Sequence, residues 1–361
     1  MTYSLLILAL FIWPFGQLLN WQLPEASLTL YPLDLVCALL AFSMLISPKN
    51  RLIIIGDPLF KPLMYFLAAA LLSLLFNLNL VIEGGLYFSL FYFARLCIYP
   101  AVYFAIKQSK IKRLLPYILI SFATFCAFGA LQYFFLPDMR YLKLLGFDDH
   151  YFRLIGSFFD PNFTGAVFAG SALMLIGLGH WLFSLLPLIL LALTFSRASY
   201  LVFFAGLLYL LYLKKQKTLL FFVLILVVAV YLIPKPFGEG VNLARTFSIY
   251  SRFESWRSGI DLFLQKPFFG WGYNTLRGLA GQRFQIDNSF LYLAATTGIV
   301  GLATFVNLLK AIFIIAKSVP QRIFLISILA HSLFNNSLLY IWIYFIFWVI
   351  LGLPSREYKE S

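Results

Sequence analysis

The 361-residue sequence is 62% hydrophobic and 19% aromatic, and only 11% of its residues are charged. A soluble domain carries about a quarter of its residues as charges, so this composition excludes a soluble protein and predicts one embedded in lipid. The long unbroken apolar runs predict spanning α-helices, because a transmembrane β-barrel has weakly alternating strands instead. The net charge of +13 is compatible with nucleic-acid binding, but the positions of the basic residues argue against it.

Apolar runs of roughly 17 to 25 residues predict about twelve spanning segments. They are 3–19, 29–47, 60–81, 84–106, 114–136, 162–179, 181–195, 197–213, 218–234, 287–315, 321–334 and 337–353. The sixth and seventh segments share a tight turn at Gly179-His180, and the seventh is short. We therefore predict one all-α polytopic membrane domain over residues 1–361, with a large outer loop between helices 9 and 10.

The connecting loops have an uneven charge distribution. With the N-terminus inside, the inner loops and the C-terminal tail hold 15 basic and three acidic residues, whereas the outer side holds 11 basic and 10 acidic ones. This is the positive-inside pattern, which predicts that both termini face the cytoplasm. It also predicts that the long connections 137–161 and 235–286 face outward. The basic residues are thus explained by the lipid bilayer, and no nucleic-acid partner is predicted.

Four isolated features inside the predicted spans allow different interpretations. Cys37, Cys97 and Cys126 lack a C-x-x-C spacing and a nearby histidine, so they read as small buried hydrophobes, and no metal site is predicted. Arg95 lies near the middle of the fourth segment, where a charge is costly and suggests a function. An ion pair with Asp34 of the second segment is the alternative explanation.

The first outer motif is "RLIGSFFDPN", residues 153–162. Asp160, Pro161 and Asn162 predict a helix cap and turn at the start of the sixth segment, and Arg153 lies in the approach to it.

The second motif is "TFSRASY", at the outer start of the eighth segment. Ser196 is a natural N-cap, and Arg197 in the first turn opposes the helix dipole. That cost disappears if an anion binds there, because a helix N-terminus with a guanidinium suits phosphate. The alternative is an arginine that extends to the membrane interface.

The third motif, "SRFESWRSGIDLFLQKPFFGWGYN", is charged between two apolar segments. A helix is predicted over Ser251 to Leu264, ending before Pro267 and the Gly-x-Gly that follows. Arg257 has Glu254 and Asp261 at helical spacing and is predicted to pair within the helix. Arg252 has no acid at those offsets and shares a face with Trp256, which suits an anionic ligand. Contact with phospholipid headgroups is the alternative for this helix.

The fourth motif is "IDNSFLYLAATTGIVG", where Asp287 or Asn288 is predicted to cap the tenth segment on the outer face. An acid beside several arginines is a structural residue, a charge balance or a general base.

Taken in order, these motifs resemble the O-antigen ligase and polymerase superfamily over residues 150–302. The matching residues are Arg153, Gly156, Pro161 and Asn162; Thr194, Ser196 and Arg197; Ser251, Arg252, Trp256, Pro267, Gly270 and Gly272; and Asp287, Asn288, Ser289, Leu291, Gly298 and Gly301.

The resemblance implies a membrane glycosyltransferase of the GT-C type in the cytoplasmic (inner) membrane, with its active site facing the periplasm or exterior. Its donor is a glycan on a polyprenyl pyrophosphate carrier, and its acceptor is a glycan, a lipid or a protein. No cofactor is implied, because the carrier leaves as its pyrophosphate.

The resemblance also implies roles for single residues. Arg197 and Arg252 match the arginines that grip pyrophosphate, so charge stabilisation of the leaving group is the expected catalytic contribution. Asp287 stands where ligases typically carry the histidine that activates the acceptor, which favours a polymerase over a ligase. Further substrate-binding residues are predicted to be Arg153, Asn162, Ser196, Trp256, Asn288 and Arg95.

Three other functions stay open at this point. A protein O-oligosaccharyltransferase of the same superfamily fits the same motifs. A lipid-linked glycan flippase is expected to have charges along a transport path through its spans, and only Arg95 and Asp34 qualify. A non-catalytic membrane scaffold has no need of arginines at two outer helix starts.

Overall fold

A computed structural model describes residues 1–23, 28–79, 86–109, 111–234, 238–276 and 286–354. The chain is 77% helical with almost no sheet, as expected of an all-α polytopic membrane protein. The first half contains α1 (Thr2–Ile12), α2 (Pro32–Ile46), α3 (Pro48–Gly56), α4 (Phe60–Leu75), α5 (Leu86–Ile98), α6 (Ala101–Gln108) and α7 (Ile111–Phe135). The short strands β1 (Trp21–Leu23) and β2 (Leu28–Leu30) pair antiparallel before α2.

The second half carries the motif region. Its helices are α8 (Pro161–Gly177), α9 (Trp181–Leu193), α10 (Arg197–Lys214), α11 (Phe221–Leu232), α12 (Phe247–Gln265), α13 (Ser289–Ile315), α14 (Val319–His331) and α15 (Ile341–Gly352). Short 3-10 helices extend or connect these elements at Trp13–Leu18, Arg140–Leu145, Gly156–Phe158, Lys217–Leu220, Glu239–Val241 and Ser337–Leu339.

Every predicted apolar segment overlaps one or two of these helices, and the end of the third segment at 80–81 and the start of the fourth at 84–85 lie outside the described residues. Within the described ranges, 4 helices are long and apolar enough to cross a membrane on length and composition alone, or up to 5 if a bent pair counts as one span. The bent pair is α2 with α3, which meet at 97°. The other apolar helices have 10–17 residues. The number of twelve spans therefore remains a prediction.

Helix α8 is the centre of the motif region, since α9, α10 and α14 all pack against it. Its small residues allow this close packing. At Gly165, for example, an added Cβ would lie 2.6 Å from the Ser199 Oγ of α10. The start of α8 and the start of α10 are thereby brought side by side.

Helix α13 is interrupted at Gly298, where φ is 66° and the helical path breaks. The segment 267–272 fills the break with its backbone: Pro267 O accepts from the Ile299 N–H at 2.8 Å, and the Gly272 N–H donates to Thr296 O at 2.9 Å. An added Cβ at Gly298 would clash with the carbonyl of this segment, so glycine is required. These backbone hydrogen bonds thus join the third and fourth predicted motifs.

Candidate functional site

The start of α10 carries the first candidate arginine. Ser196 is the N-cap as predicted, and its Oγ accepts from the Ser199 N–H. Arg197 reaches across to the segment before α12: its Nη1 donates to Leu243 O at 3.0 Å and Arg245 O at 2.7 Å, and its Nη2 donates to Ser248 Oγ at 2.6 Å. Its Nε has no acceptor among the described residues. The guanidinium is therefore held at its two terminal nitrogens by neutral acceptors.

The second candidate arginine lies on α12, which confirms the helix predicted for this stretch. The Nε of Arg252 donates to Phe334 O at 3.0 Å, in the turn between α14 and α15. Within the part of the chain that the structure describes, no acceptor contacts its two terminal nitrogens. Burial lowers the pKa of Arg252, and the nearby charge of Arg197 lowers it too, while Asp287 raises it. Arg197 and Arg252 therefore lie close enough for their charges to interact.

The start of α13 places Asp287 and Asn288 beside α12. Asn288 is the N-cap, with its Oδ1 accepting from Phe290 N at 2.9 Å and Leu291 N at 3.0 Å. Of the two predicted caps, Asn288 is correct. The Asp287 backbone is fixed by α12, since its N–H donates to Ser255 Oγ at 2.7 Å and its carbonyl accepts from Trp256 Nε1 at 3.2 Å. The Asp287 carboxylate is thus near Arg252 without serving as the cap.

Asp160 and Asn162 lie at the start of α8. Asp160 is the predicted N-cap and accepts from Asn162 N at 2.6 Å and Phe163 N at 3.0 Å. Burial raises the pKa of Asp160, against these backbone hydrogen bonds and the charge of Arg153, which lower it. The Asn162 Oδ1 accepts from Ser196 Oγ at 2.9 Å, so Asn162 joins α8 to the cap of α10.

Arg153 is a buried side chain next to the N-cap of α10. Its Nε donates to Thr194 O at 3.0 Å and its Nη2 to Phe195 O at 3.4 Å, the two residues that precede Ser196. Burial and the nearby charge of Arg245 lower the pKa of Arg153. These contacts give Arg153 a structural part in holding the cap of α10.

Two residues of this region were missed in the sequence. Arg245 donates from Nη2 to Phe195 O at 3.1 Å and from Nη1 to Gly240 O at 2.8 Å, so it ties the approach of α12 to the start of α10. The sequence carried no signal for Arg245, because it precedes α12 and its partner lies 50 positions away. His331, at the end of α14, is fully buried and contacts Ser199 of α10. A lone histidine at the end of an apolar segment was its signal.

Arg95 proves to be an ion-paired residue, as the second of its two interpretations predicted. Its Nε and Nη2 bind the Asp34 carboxylate at 2.8 and 2.6 Å, and both side chains are 4% exposed. Nη2 also donates to Thr29 O, and Tyr99 OH donates to Asp34 Oδ1 at 2.8 Å. The ion-pair interpretation of Arg95 is therefore confirmed, whereas its assignment as a substrate-binding residue stays a prediction, which the Asp34 carboxylate on one edge of the guanidinium disfavours.

Arg257 is exposed on α12. None of the ion pairs among the described residues involves it, so the predicted pairing with Glu254 and Asp261 is not seen. An exposed arginine is well solvated and gains little from such a pair, which accounts for the difference.

The comparison with protein families matches one segment of this region. Residues 182–306 match the family model described as O-antigen ligase. The matched segment includes Ser196, Arg197, Arg252, Trp256 and both residues at the start of α13, and it begins after Arg153 and Asn162. No curated protein matches the chain. The resemblance of this chain to the O-antigen ligase and polymerase superfamily is therefore confirmed over residues 182–306, and it supports a function of that general type.

Proposed function

We propose that this protein transfers a glycan from a polyprenyl pyrophosphate carrier to an acceptor at the outer face of the cytoplasmic membrane, as a surface-polysaccharide polymerase or ligase. The observation that carries the proposal is the hydrogen bonding of two nearby guanidiniums, those of Arg197 and Arg252. Neutral acceptors hold both arginines, and the Nε of Arg197 and the two terminal nitrogens of Arg252 have no acceptor among the described residues.

A pyrophosphate has the charge and the shape to complete this arrangement. Arginine binds phosphate oxygens through two parallel N–H donors, and such charge-assisted hydrogen bonds are stronger than those to carbonyls. Since both side chains are already held by the protein, little conformational entropy is lost when the anion binds. The same contacts stabilise the charge that develops on the leaving pyrophosphate.

An apolar groove next to Arg197 supports a lipid carrier. The cavity has a volume of about 410 Å³ and lies between α10 and α11. Its lining residues are Tyr200, Phe203, Phe204, Val223, Leu226, Val227, Val230, Tyr231 and Leu243. Leu243 connects the two sites, since it lines the groove and its carbonyl accepts from Arg197. A lipid with its pyrophosphate at the arginines can place its isoprenoid chain in this groove.

The reaction needs a base for the acceptor, and Asp287 is the residue we propose. The acceptor hydroxyl oxygen attacks the anomeric carbon, and the bond from that carbon to the pyrophosphate oxygen breaks. The pyrophosphate leaves with the electron pair towards Arg197 and Arg252, while the hydroxyl proton passes to the Asp287 carboxylate. Since Asn288 caps α13, the Asp287 side chain is not needed for that purpose. A carboxylate where ligases typically have histidine favours polymerase activity.

Reconstitution tests the proposal directly. The full chain in liposomes receives a polyprenyl pyrophosphate oligosaccharide and, in separate reactions, a second copy of that donor, a glycolipid or a protein acceptor. We expect donor consumption, with a ladder on a gel for a polymerase and a single size shift for a ligase or a protein glycosylating enzyme. An Arg197→Ala, Arg252→Ala double variant is expected to be inactive, and Arg257→Ala serves as the exposed-arginine control. Unchanged turnover in the double variant rules out the proposal.

A further inference from the structure

His331 is a fully buried side chain that contacts two different parts of the fold. Its Nδ1 lies 2.6 Å from Ser337 Oγ, in the turn between α14 and α15. Its Nε2 lies 3.3 Å from Asn335 Nδ2 in the same turn and 3.3 Å from Ser199 Oγ on α10. The amide nitrogen of Asn335 can only donate, so Nε2 is assigned as the acceptor and Nδ1 as the N–H that donates to Ser337.

On one side, His331 fixes the turn that holds Arg252. Three consecutive carbonyls, of residues 332–334, accept from Ser289 N, Asn288 Nδ2 and Arg252 Nε at 2.8, 3.0 and 3.0 Å. These carbonyls follow the C-terminus of α14, where the helix dipole favours a cation. The direction of the Arg252 side chain therefore depends on the conformation of this turn.

On the other side, His331 contacts the cap that precedes Arg197. Because Nε2 is the acceptor, the single hydroxyl proton of Ser199 is assigned to it, and Ser199 is joined to Ser196 by its backbone N–H, which donates to Ser196 Oγ at 3.4 Å. Ser196 is the N-cap of α10, so its position sets where the first turn, with Arg197, begins. A short series of hydrogen bonds thus joins both candidate arginines through the imidazole of His331.

We infer that His331 is a positioning residue that sets the separation of Arg197 and Arg252, and so makes the site prefer a pyrophosphate to a single phosphate. The inference rests on the proposed function, since it concerns the same anion. A pyrophosphate needs both guanidiniums at one fixed spacing, whereas a single phosphate is held by either one. Loss of the imidazole frees the turn and the cap to shift independently, which weakens binding of the longer anion most.

The test compares inhibition of the reconstituted enzyme by inorganic pyrophosphate and by orthophosphate. In His331→Phe, which keeps the ring and removes its hydrogen bonds, we expect the inhibition constant for pyrophosphate to rise roughly tenfold, a coupling of the size seen for residues in one hydrogen-bond network. The constant for orthophosphate should change less than about threefold. His331→Gln restores a donor and an acceptor and is expected to lie between the two. Since an inhibition constant does not depend on the fraction of folded enzyme, a general loss of stability leaves the ratio of the two constants unchanged.

Gln321→Leu is the matched control, because Gln321 is a buried polar residue at the other end of α14 and donates to Leu353 O at 2.6 Å. It should reduce stability and keep the wild-type ratio. If His331→Phe does not accumulate, His331→Gln decides the question with the same ratio. A wild-type ratio in the His331 variant overturns the positioning role and leaves the proposed function intact. If pyrophosphate fails to inhibit the wild type, the proposed function fails as well.

Discussion

Arginines that are buried or half-buried occur in two regions of this protein, and the two regions differ in the groups that hold the guanidinium. In the first half, Arg95 meets a carboxylate with both nitrogens of one edge, and the aromatic rings of Tyr31, Phe91 and Tyr92 surround its guanidinium. In the second half, carbonyl and hydroxyl oxygens hold Arg197 and Arg252.

The difference separates an arginine that is hydrogen-bonded to a carboxylate from two arginines that are hydrogen-bonded to neutral oxygens. Carbonyl oxygens fix the direction of a guanidinium but bring no net charge to offset its own. A carboxylate does both, and once it is bound the arginine has little left to offer a ligand. For Arg95, Arg197 and Arg252, the partner of the guanidinium is therefore a better guide to function than the burial of the side chain.

The largest effect is expected for the Asp34–Arg95 ion pair, and it concerns the free energy of unfolding. Asp34→Ala leaves Arg95 charged and buried without a counter-ion, so we expect a loss of about 3–5 kcal/mol in the free energy of unfolding. Unfolding in detergent, followed by tryptophan fluorescence, measures it. The double change Asp34→Ala with Arg95→Met should recover most of the loss. If the Asp34→Ala variant is as stable as the wild type but loses donor binding, the distinction between the Arg95 region and the region of Arg197 and Arg252 is contradicted.

The second largest effect is expected at Asp287, the carboxylate near Arg252, and it concerns the rate of transfer. Asp287→Asn should keep donor binding and lower the transfer rate by about 10²–10⁴-fold, because an amide takes up no proton. Equilibrium binding of the donor and single-turnover transfer measure the two steps separately. Asp287→His is the companion variant, and activity in it indicates that the position needs a base of either kind. Full activity in Asp287→Asn reduces Asp287 to a charge balance.

Lysine in place of Arg197 or Arg252 tests whether the site needs only a positive charge or also the shape of the guanidinium. Arg197→Lys and Arg252→Lys keep the charge and lose the two-pronged donor, so we expect activity to fall about 10²–10³-fold with thermal stability nearly unchanged. Arg257→Lys, on the exposed face of α12, should change activity only a few-fold. If Arg257→Lys is the most damaging of the three, the arginine of the motif has been misassigned.

The smallest effect is expected at Asn288, the N-cap of α13, and it concerns stability. Asn288→Ala removes the cap of α13 and the hydrogen bond to Leu333 O, which should cost about 1–2 kcal/mol of stability. Asn288→Asp restores the cap but has no N–H to donate, so its loss should be smaller. Thermal unfolding of the two variants measures the difference. A loss in Asn288→Ala equal to that in Asp34→Ala contradicts the ranking of the two regions.

The sequence predicted best what depends on neighbours in the chain. The caps Ser196, Asp160 and Asn288 and the helix that carries Arg252 all follow from local signals, and the structure contains each of them. A cap is a bond between residues two or three apart, so its pattern is visible without the fold.

Contacts between distant residues could not be predicted in this way. Arg245 bonds to a residue 50 positions away and His331 to one 132 positions away, and no local pattern indicates the partner of either residue. The sharp angle between α2 and α3 was also missed, although Ser47-Pro48 separates them. The pairing predicted for Arg257 had the correct spacing, but spacing alone does not give an exposed pair enough energy to form.

The break of α13 at Gly298 has a consequence for how the protein is made. Backbone groups around the break find their partners in residues 267–272, which are synthesised just before this helix enters the membrane. An unpaired peptide group costs several kcal/mol in hydrocarbon, so the helix cannot settle among lipids until that segment has folded back onto it. Membrane insertion of α13 and folding of residues 267–272 onto it are thereby expected to be one event, and Arg252, on the helix that precedes this segment, reaches its place as α13 is completed.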